Sequence, residues 1–337
     1  PVDQECMAEV AGVARPTLVS GPLQGRASPS ALLPWAETGS VAGLRPRFRG
    51  PPPAGEPDVA MKLWNPRPPR AEVVAEVNHR GFCLELGRSL GCALDGARLL
   101  LHPADLERHL AQGGADASAL GKFVLKAPWS SSGRDRAILR PEDLEDPARR
   151  VQIGKMFAAN SELLFEPWME RRADFGCAAF VDGEVELIGL HSQEVDPRDG
   201  RFVGLLLEQG EAPFSMLGVM ERTTLEETAR EVGARLRERG YRGPFGVDAW
   251  RYQTAGGGVG FHPLGEINAR MTMGLLAHVL VRRIVEHRGE PFTGQVRLRL
   301  GKEMGESCSP ERTTVLLRPG PSDAPGAWLE WRLGVAR

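Results

Sequence analysis

Gly243–Gly274 reads GPFGVDAWRYQTAGGGVGFHPLGEINARMTMG, and within it two strand-forming runs, Phe245–Gln253 and Val259–Ile267, flank Thr254, Ala255 and three consecutive glycines. Glycine accepts positive φ without steric cost, so this interval predicts a chain reversal and the whole stretch a β-hairpin. A turn centred on Gly257 sets Asp248 opposite Glu266, each nine residues from that centre. Opposed residues hold their Cβ atoms about 5 Å apart, and two steps along a strand return to the same face, so Asn268 joins them. Facing carboxylates repel unless a proton or cation lies between them. Hard oxygen ligands in small number suit Mg²⁺ shared with phosphate oxygens, with Mn²⁺ as a substitute. Arg270, two residues on, points the same way. A hairpin that merely turns polar residues to solvent fits this stretch equally well, so the rest of the chain must decide.

A chain of 337 residues can bury a sizeable core and build two or three compact units. Its 42 basic and 44 acidic residues exclude a general polyanion binder, and no nucleic-acid partner is expected. No apolar run reaches the roughly 18 residues of a membrane span, and the start lacks a secretory pattern. Cys6, Cys83, Cys92, Cys177 and Cys308 show no CxxC spacing, which argues against a disulfide framework or a zinc site. A soluble protein of a reducing cytoplasm, without membrane contact, is the expectation.

Outward from the hairpin, residues 1–76 form a loop-rich, proline-rich N-terminal region, with short apolar stretches at Thr17–Val19 and Ala31–Trp35 that can dock on a larger body. Helical periodicity begins at Arg70 and ends at Gly91, and Pro103–Gln112 is a short helix. Lys122–Lys126 reads as a strand, followed by the loop PWSSSGRDR and a return strand at Ala137–Leu139. Pro141–Asn160 is a broken helix, and Leu163–Phe165 a strand ending at Glu166. Strands follow at Phe175–Val181, Val185–His191 and Phe202–Leu207, the first two joined by Asp182-Gly183. Thr224–Arg239 is a helix with a Thr224/Glu227 capping box and Gly240 beyond its end, and Leu275–His287 is a second, apolar helix.

Ser130, Ser131, Ser132 and Gly133 can offer backbone N–H groups and hydroxyls to phosphate, with Lys126 as a charge at the loop's root. Taken alone the loop reads equally as a turn, because neither GxxxxGK[ST] nor GxGxxG occurs in the chain. Asp174-Phe175-Gly176 matches the DFG of protein kinases, but no HRDxxxxN loop precedes it.

In order, Lys126 with PWSSSGR, LLFEPWMERRADF, GPFGVD and EINAR resemble the ATP-grasp superfamily, whose members include D-alanine:D-alanine ligase and biotin carboxylase. The similarity covers about Val77–Leu280. It implies an α+β fold with nucleotide between two lobes: a small lobe at 77–168 carrying the phosphate loop and adenine hinge, and a large lobe at 169–337 carrying the metal hairpin. By the same resemblance Lys126 contacts phosphate and the Ser130–Gly133 loop covers it. Glu166, Pro167 and Met169 form the adenine hinge, with the Pro167 carbonyl accepting and the Met169 N–H donating. Asp174 takes the ribose hydroxyls, Asp248, Glu266 and Asn268 hold Mg²⁺, and Arg270 steadies the anionic reacting group. The competing readings are an edge-strand surface acid for Glu166 and a strand-start acid without function for Asp174. Two departures stand out: the family's upstream lysine is replaced by Arg80, which keeps the charge, and Asp135 occupies a site where many members carry another glycine. About seventy proline-rich residues also precede the match where most members carry an α/β domain.

The resemblance implies an ATP-dependent ligase that activates a carboxylate as an acyl phosphate and joins it to an amine. Small-molecule acid and amine partners follow, and a homodimer is compatible. A small-molecule kinase on the same fold and a nucleotide-binding regulatory subunit without turnover are the alternatives.

Overall fold

The computed structural model describes residues 70–116, 118–129, 135–195, 202–209, 216–288, 294–301, 313–317 and 326–333. The stretches expected to dock at 17–19 and 31–35, and the loop Ser130–Gly133, lie outside the described residues.

The helix expected from Arg70 to Gly91 is two helices, α1 (Ala71–Val77) and α2 (Arg80–Ser89). Side chains end the first and start the second. Asn78 Nδ2 donates to the Val74 carbonyl at 2.9 Å, and extended His79 accepts from the Gly81 N–H at 3.0 Å. This break joins the rest of the molecule together. Asn78 Oδ1 accepts from the Ala269 N–H at 3.0 Å, the Arg80 N–H donates to the Pro128 carbonyl at 3.0 Å, and Trp129 Nε1 donates to the Ala75 carbonyl at 2.8 Å.

A small antiparallel sheet follows: β1 (Arg98–Leu100), β2 (Phe123–Lys126), β3 (Arg136–Leu139) and β4 (Leu163–Pro167), in the order β1-β4-β2-β3. Helices α3 (Pro103–Ala111) and α4 (Pro147–Ala159) cover it, with Leu106, Ile153 and Phe157 packed on Phe123, Leu125, Leu163 and Phe165. The three-residue β1 was not legible. The expected break in 141–160 falls between a 3₁₀ turn at Pro141–Glu145 and α4, where Asp146 caps the Ala148 N–H at 2.8 Å.

The second sheet has eight strands: β5 (Glu170–Asp182), β6 (Glu184–Val195), β7 (Phe202–Gln209), β8 (Gly243–Gln253), β9 (Val259–Asn268), β10 (Gly294–Gly301), β11 (Thr313–Leu317) and β12 (Gly326–Leu333). Their order is β11-β12-β10-β7-β6-β5-β8-β9, with every pairing antiparallel. Helix α5 (Val219–Glu238) begins five residues before the expected Thr224. Its start is set by Glu221, whose carboxylate accepts from the Gly218 N–H at 3.0 Å, so the Thr224/Glu227 capping box is not its cap. Leu225, Ala229, Val232 and Leu236 of α5 pack on Phe175, Cys177, Phe245 and Val247. Alternation along β5 and β8 therefore turns Asp174, Gly176, Gly246, Asp248 and Trp250 to the opposite face, which α6 (Met273–Arg288) approaches through Gly274 over His191.

The hairpin forms, with one correction. Gln253 pairs with Val259, and the Thr254 N–H donates to the Gly258 carbonyl at 2.9 Å, so the turn centres on Gly256 rather than Gly257. Farther down, residues 263–265 of β9 stand opposite Ala249 alone, because Trp250 pairs with His262 and Asp248 with Glu266. This bulge, at a proline that has no N–H for the ladder, shifts the register back and restores the expected pairing of the two acids.

Candidate active site

Three adjacent rows of paired residues cross the face opposite α5. Gln193, Asp174, Trp250 and His262 form one, His191, Gly176, Asp248 and Glu266 the next, and Ala178, Gly246 and Asn268 the third. Asn268 Nδ2 donates to Asp248 Oδ2 at 3.0 Å, and Gln193 Nε2 donates to Asp248 Oδ1 at 2.7 Å. Arg270 hydrogen-bonds Asn268 Oδ1. Glu266 Oε1 accepts from Arg80 Nη2 at 3.2 Å, while Arg80 Nη1 donates to the Ala127 carbonyl at 2.8 Å. Arg80 thus ties the root of the loop after β2 to the hairpin.

On the small sheet Lys126 and Glu166 form a buried ion pair. Strand β4 lies between β1 and β2, and Glu166 is 9 % exposed, so it is not an edge-strand surface acid. Burial raises the Glu166 carboxyl, but the Lys126 ammonium beside it outweighs that and leaves it below the usual carboxylate range. The Trp168 N–H donates to the Lys122 carbonyl at 2.8 Å; in an antiparallel ladder alternate residues face the neighbour, so the backbone of Pro167, the last residue of β4, turns away from β2. Asp174 is not a strand-start residue: it sits inside β5, and its Oδ1 accepts from Arg171 Nη1 at 2.8 Å.

Asp248 is pushed up to about 6, first by burial and then by the Glu266 carboxylate, against opposing hydrogen bonds from Gln193 and Asn268 and the charge of Arg270. Burial draws the Arg270 guanidinium down from its ordinary value, opposed by Glu266 and Asp248. His262 is pushed down to about 4, chiefly by burial. Facing carboxylates, one of them raised by burial and by its neighbour's charge, fit a divalent cation, which would offset the repulsion between them. The donors available are two carboxylates and an amide. Among the described residues no group of three or more His, Cys, Asp and Glu side chains is arranged to hold a metal ion.

Asp135 has a φ of +51°, in the left-handed region that few non-glycine residues tolerate and aspartate does. The Asp135 carbonyl also accepts from the Ala127 N–H at 3.0 Å, closing the base of the loop.

Four residues of this face escaped the sequence reading. Gln193 and His262 carry no motif. Trp250 could have been found, since it lies two residues beyond Asp248 on one strand. Arg171 lies over the Trp250 ring at 3.8 Å and approaches that of Trp168 at 5.9 Å. Gly265 makes room for the Trp250 ring, because a Cβ there would fall 1.6 Å from Cζ3.

No family model matches the chain. It is 29% identical over 157 residues to the [butirosin acyl-carrier protein]–L-glutamate ligase of Niallia circulans, a match covering 46% of this chain and 34% of that protein. The chain therefore spans about a third of the length of this curated relative. Among solved structures, a biotin carboxylase–β,γ-ATP complex from Campylobacter jejuni superposes with a TM-score of 0.56 at 15% identity, over 79% of this chain and 65% of that one. The biotin carboxylase domain of Hydrogenobacter thermophilus 2-oxoglutarate carboxylase, solved with MgADP and bicarbonate, gives a TM-score of 0.54 at 16% identity, over 79% and 64%. Among the described residues no helix is long and apolar enough to cross a membrane. At these identities the likeness shows the fold alone: two antiparallel sheets, with the acid-bearing hairpin on the second, in an ATP-grasp fold.

Proposed function

We propose that this chain is an ATP-dependent ligase that activates a carboxylic acid as an acyl phosphate and passes the acyl group to an amine. The observation that carries this reading is the pairing of Asp248 with Glu266 on one face, bonded to Asn268 and Arg80 and flanked by Arg270. Asp248, Glu266 and Asn268 would hold Mg²⁺, which when bound supplies positive charge to the phosphate oxygens. The nucleoside end is the hinge Glu166–Met169 with Asp174.

In the reaction, a carboxylate oxygen attacks the γ-phosphorus and the bond to the β,γ-bridging oxygen breaks, releasing ADP. The amine nitrogen then attacks the acyl carbon, phosphate leaves, and the nitrogen loses a proton. Lys126, drawn from Glu166, and Arg80, drawn from Glu266, offset charge on the transferring group, and Arg270 orients the acid. The N. circulans acyl-carrier protein–L-glutamate ligase and the bicarbonate-bound H. thermophilus domain support acid activation.

The test is ADP release across a panel of amino acids, peptides and other carboxylic acids with hydroxylamine as nucleophile. Acid-dependent ADP accompanied by a hydroxamate supports the ligase. ADP with a stable phosphoester makes the chain a kinase. Nucleotide binding without either product favours a subunit that binds without turnover, a reading motivated by Arg80 standing in a lysine's place and engaged by Glu266.

A further inference from the structure

Arg171 makes, with one side chain, two contacts of the kind a nucleoside makes with two groups. Its planar guanidinium lies over Trp250 at 3.8 Å, as a base stacks on an aromatic ring, and Nη1 donates to Asp174 Oδ1 at 2.8 Å, as a ribose hydroxyl does to a carboxylate. It also reaches toward Trp168 of the hinge segment, 5.9 Å from that ring. Trp250 is a prepared platform. It is 3 % exposed, braced by His262 at 4.5 Å, seated over Gly265, and its buried Nε1 has no hydrogen-bond partner among the described residues. Arg171 is held more loosely, with a third of its side chain exposed against 11 % for Asp174.

We propose that Arg171 is a self-plug of the nucleoside slot: it occupies Trp250 and Asp174 and must swing out before a purine stacks on Trp250 and its ribose reaches Asp174. The proposal rests on the nucleotide reading above. Arg171 then sets the threshold for nucleotide entry and disfavours weakly bound nucleosides, which lack phosphates to compensate its displacement through Lys126 and Arg80.

The test uses the full chain and adenosine, a probe without phosphate, alongside Mg·ATP, followed by calorimetry and by tryptophan fluorescence. Losing an arginine–aromatic stack and a partly exposed ion pair, Arg171→Ala should bind adenosine about tenfold more tightly than the parent. Adenosine is uncharged, so salt that screens the Arg171–Asp174 pair should tighten its binding to the parent and leave Arg171→Ala unchanged. Arg171→Lys, which keeps the charge but not the plane, should fall between, and Trp250→Leu in the Arg171→Ala background should cancel the gain. If Arg171→Ala binds adenosine no more tightly while the parent binds Mg·ATP, the plug is wrong and the nucleotide reading survives. If neither protein binds either probe, both fall. Binding by Arg171→Ala alone would support the plug most strongly.

Discussion

Replacing Glu166 with glutamine leaves the Lys126 ammonium in the interior with no carboxylate beside it. The two side chains are 9 % and 11 % exposed, so solvent does little to screen or replace the lost partner. Breaking a buried pair from one side costs about 3–5 kcal/mol, whereas replacing both members with uncharged groups of similar size is close to neutral. Glu166→Gln and Lys126→Met should therefore each destabilise by about 3 kcal/mol or more, and the double variant by about 1 kcal/mol, a coupling of several kcal/mol. The low Glu166 carboxyl adds a pH signature. A depressed acid stabilises above its ordinary range and loses that contribution as pH falls, so the parent should lose more of its advantage over Glu166→Gln below about pH 4. Urea unfolding of the four proteins at pH 7, followed by far-UV circular dichroism, reads the cycle. Single variants that cost under about 1 kcal/mol each and sum to the double would refute a buried, formed pair.

Other outcomes follow from the same coordinates. Glu266→Gln removes the carboxylate opposite Asp248 and the partner of Arg80; it should lower ADP formation at least about a hundredfold and change the Kd for ATP by less than about tenfold, read by coupled assay and calorimetry. His191 is pushed down to about 4 by burial, so the unfolded chain takes its proton first and stability is lost as pH falls from 6.5 toward 4. His191→Asn should lose about 2 kcal/mol less than the parent between pH 7 and pH 5 in denaturant titrations; Asp248, raised to about 6, works the opposite way in both proteins and cancels from the comparison. Gly233→Ala sets a Cβ 2.7 Å from both methyls of Val185 and 3.0 Å from Phe245, and should cost about 1–2 kcal/mol in thermal unfolding despite alanine's better helix propensity.

The hairpin was legible because its strand signal, glycine turn and acids lie within one local stretch, and period-two alternation alone sets Asp248 and Glu266 on one face. Its turn was misplaced by one residue because a bulge is invisible to counting: without residues 263–265 against Ala249, Asp248 would stand opposite residue 264, on the same face as Glu266 but one pair out of register. The start of α5 was missed because Glu221, acting from the third helical position on the Gly218 N–H, outcompetes the Thr224 box inside the helix. Arg80 was placed by motif spacing, yet its bond to Glu266 spans 186 residues and no local pattern encodes it. Gln193 is similar: it reaches Asp248 only because β5 brings β6 and β8 to its two sides. Strands β10, β11 and β12, which extend the large sheet past β7, went unread because nothing in the motif order calls for them.

The central claim is that the Asp248–Glu266 hairpin holds the metal that accompanies the nucleotide. Crystals grown with Mn²⁺ and a non-hydrolysable ATP analogue, measured at the manganese absorption edge, test it most directly. The account predicts an anomalous peak bounded by Asp248, Glu266 and Asn268, with the triphosphate running from it toward Lys126 and the base against Trp250. A manganese peak away from the hairpin, or a nucleotide whose γ-phosphate lies remote from Glu266, would contradict it.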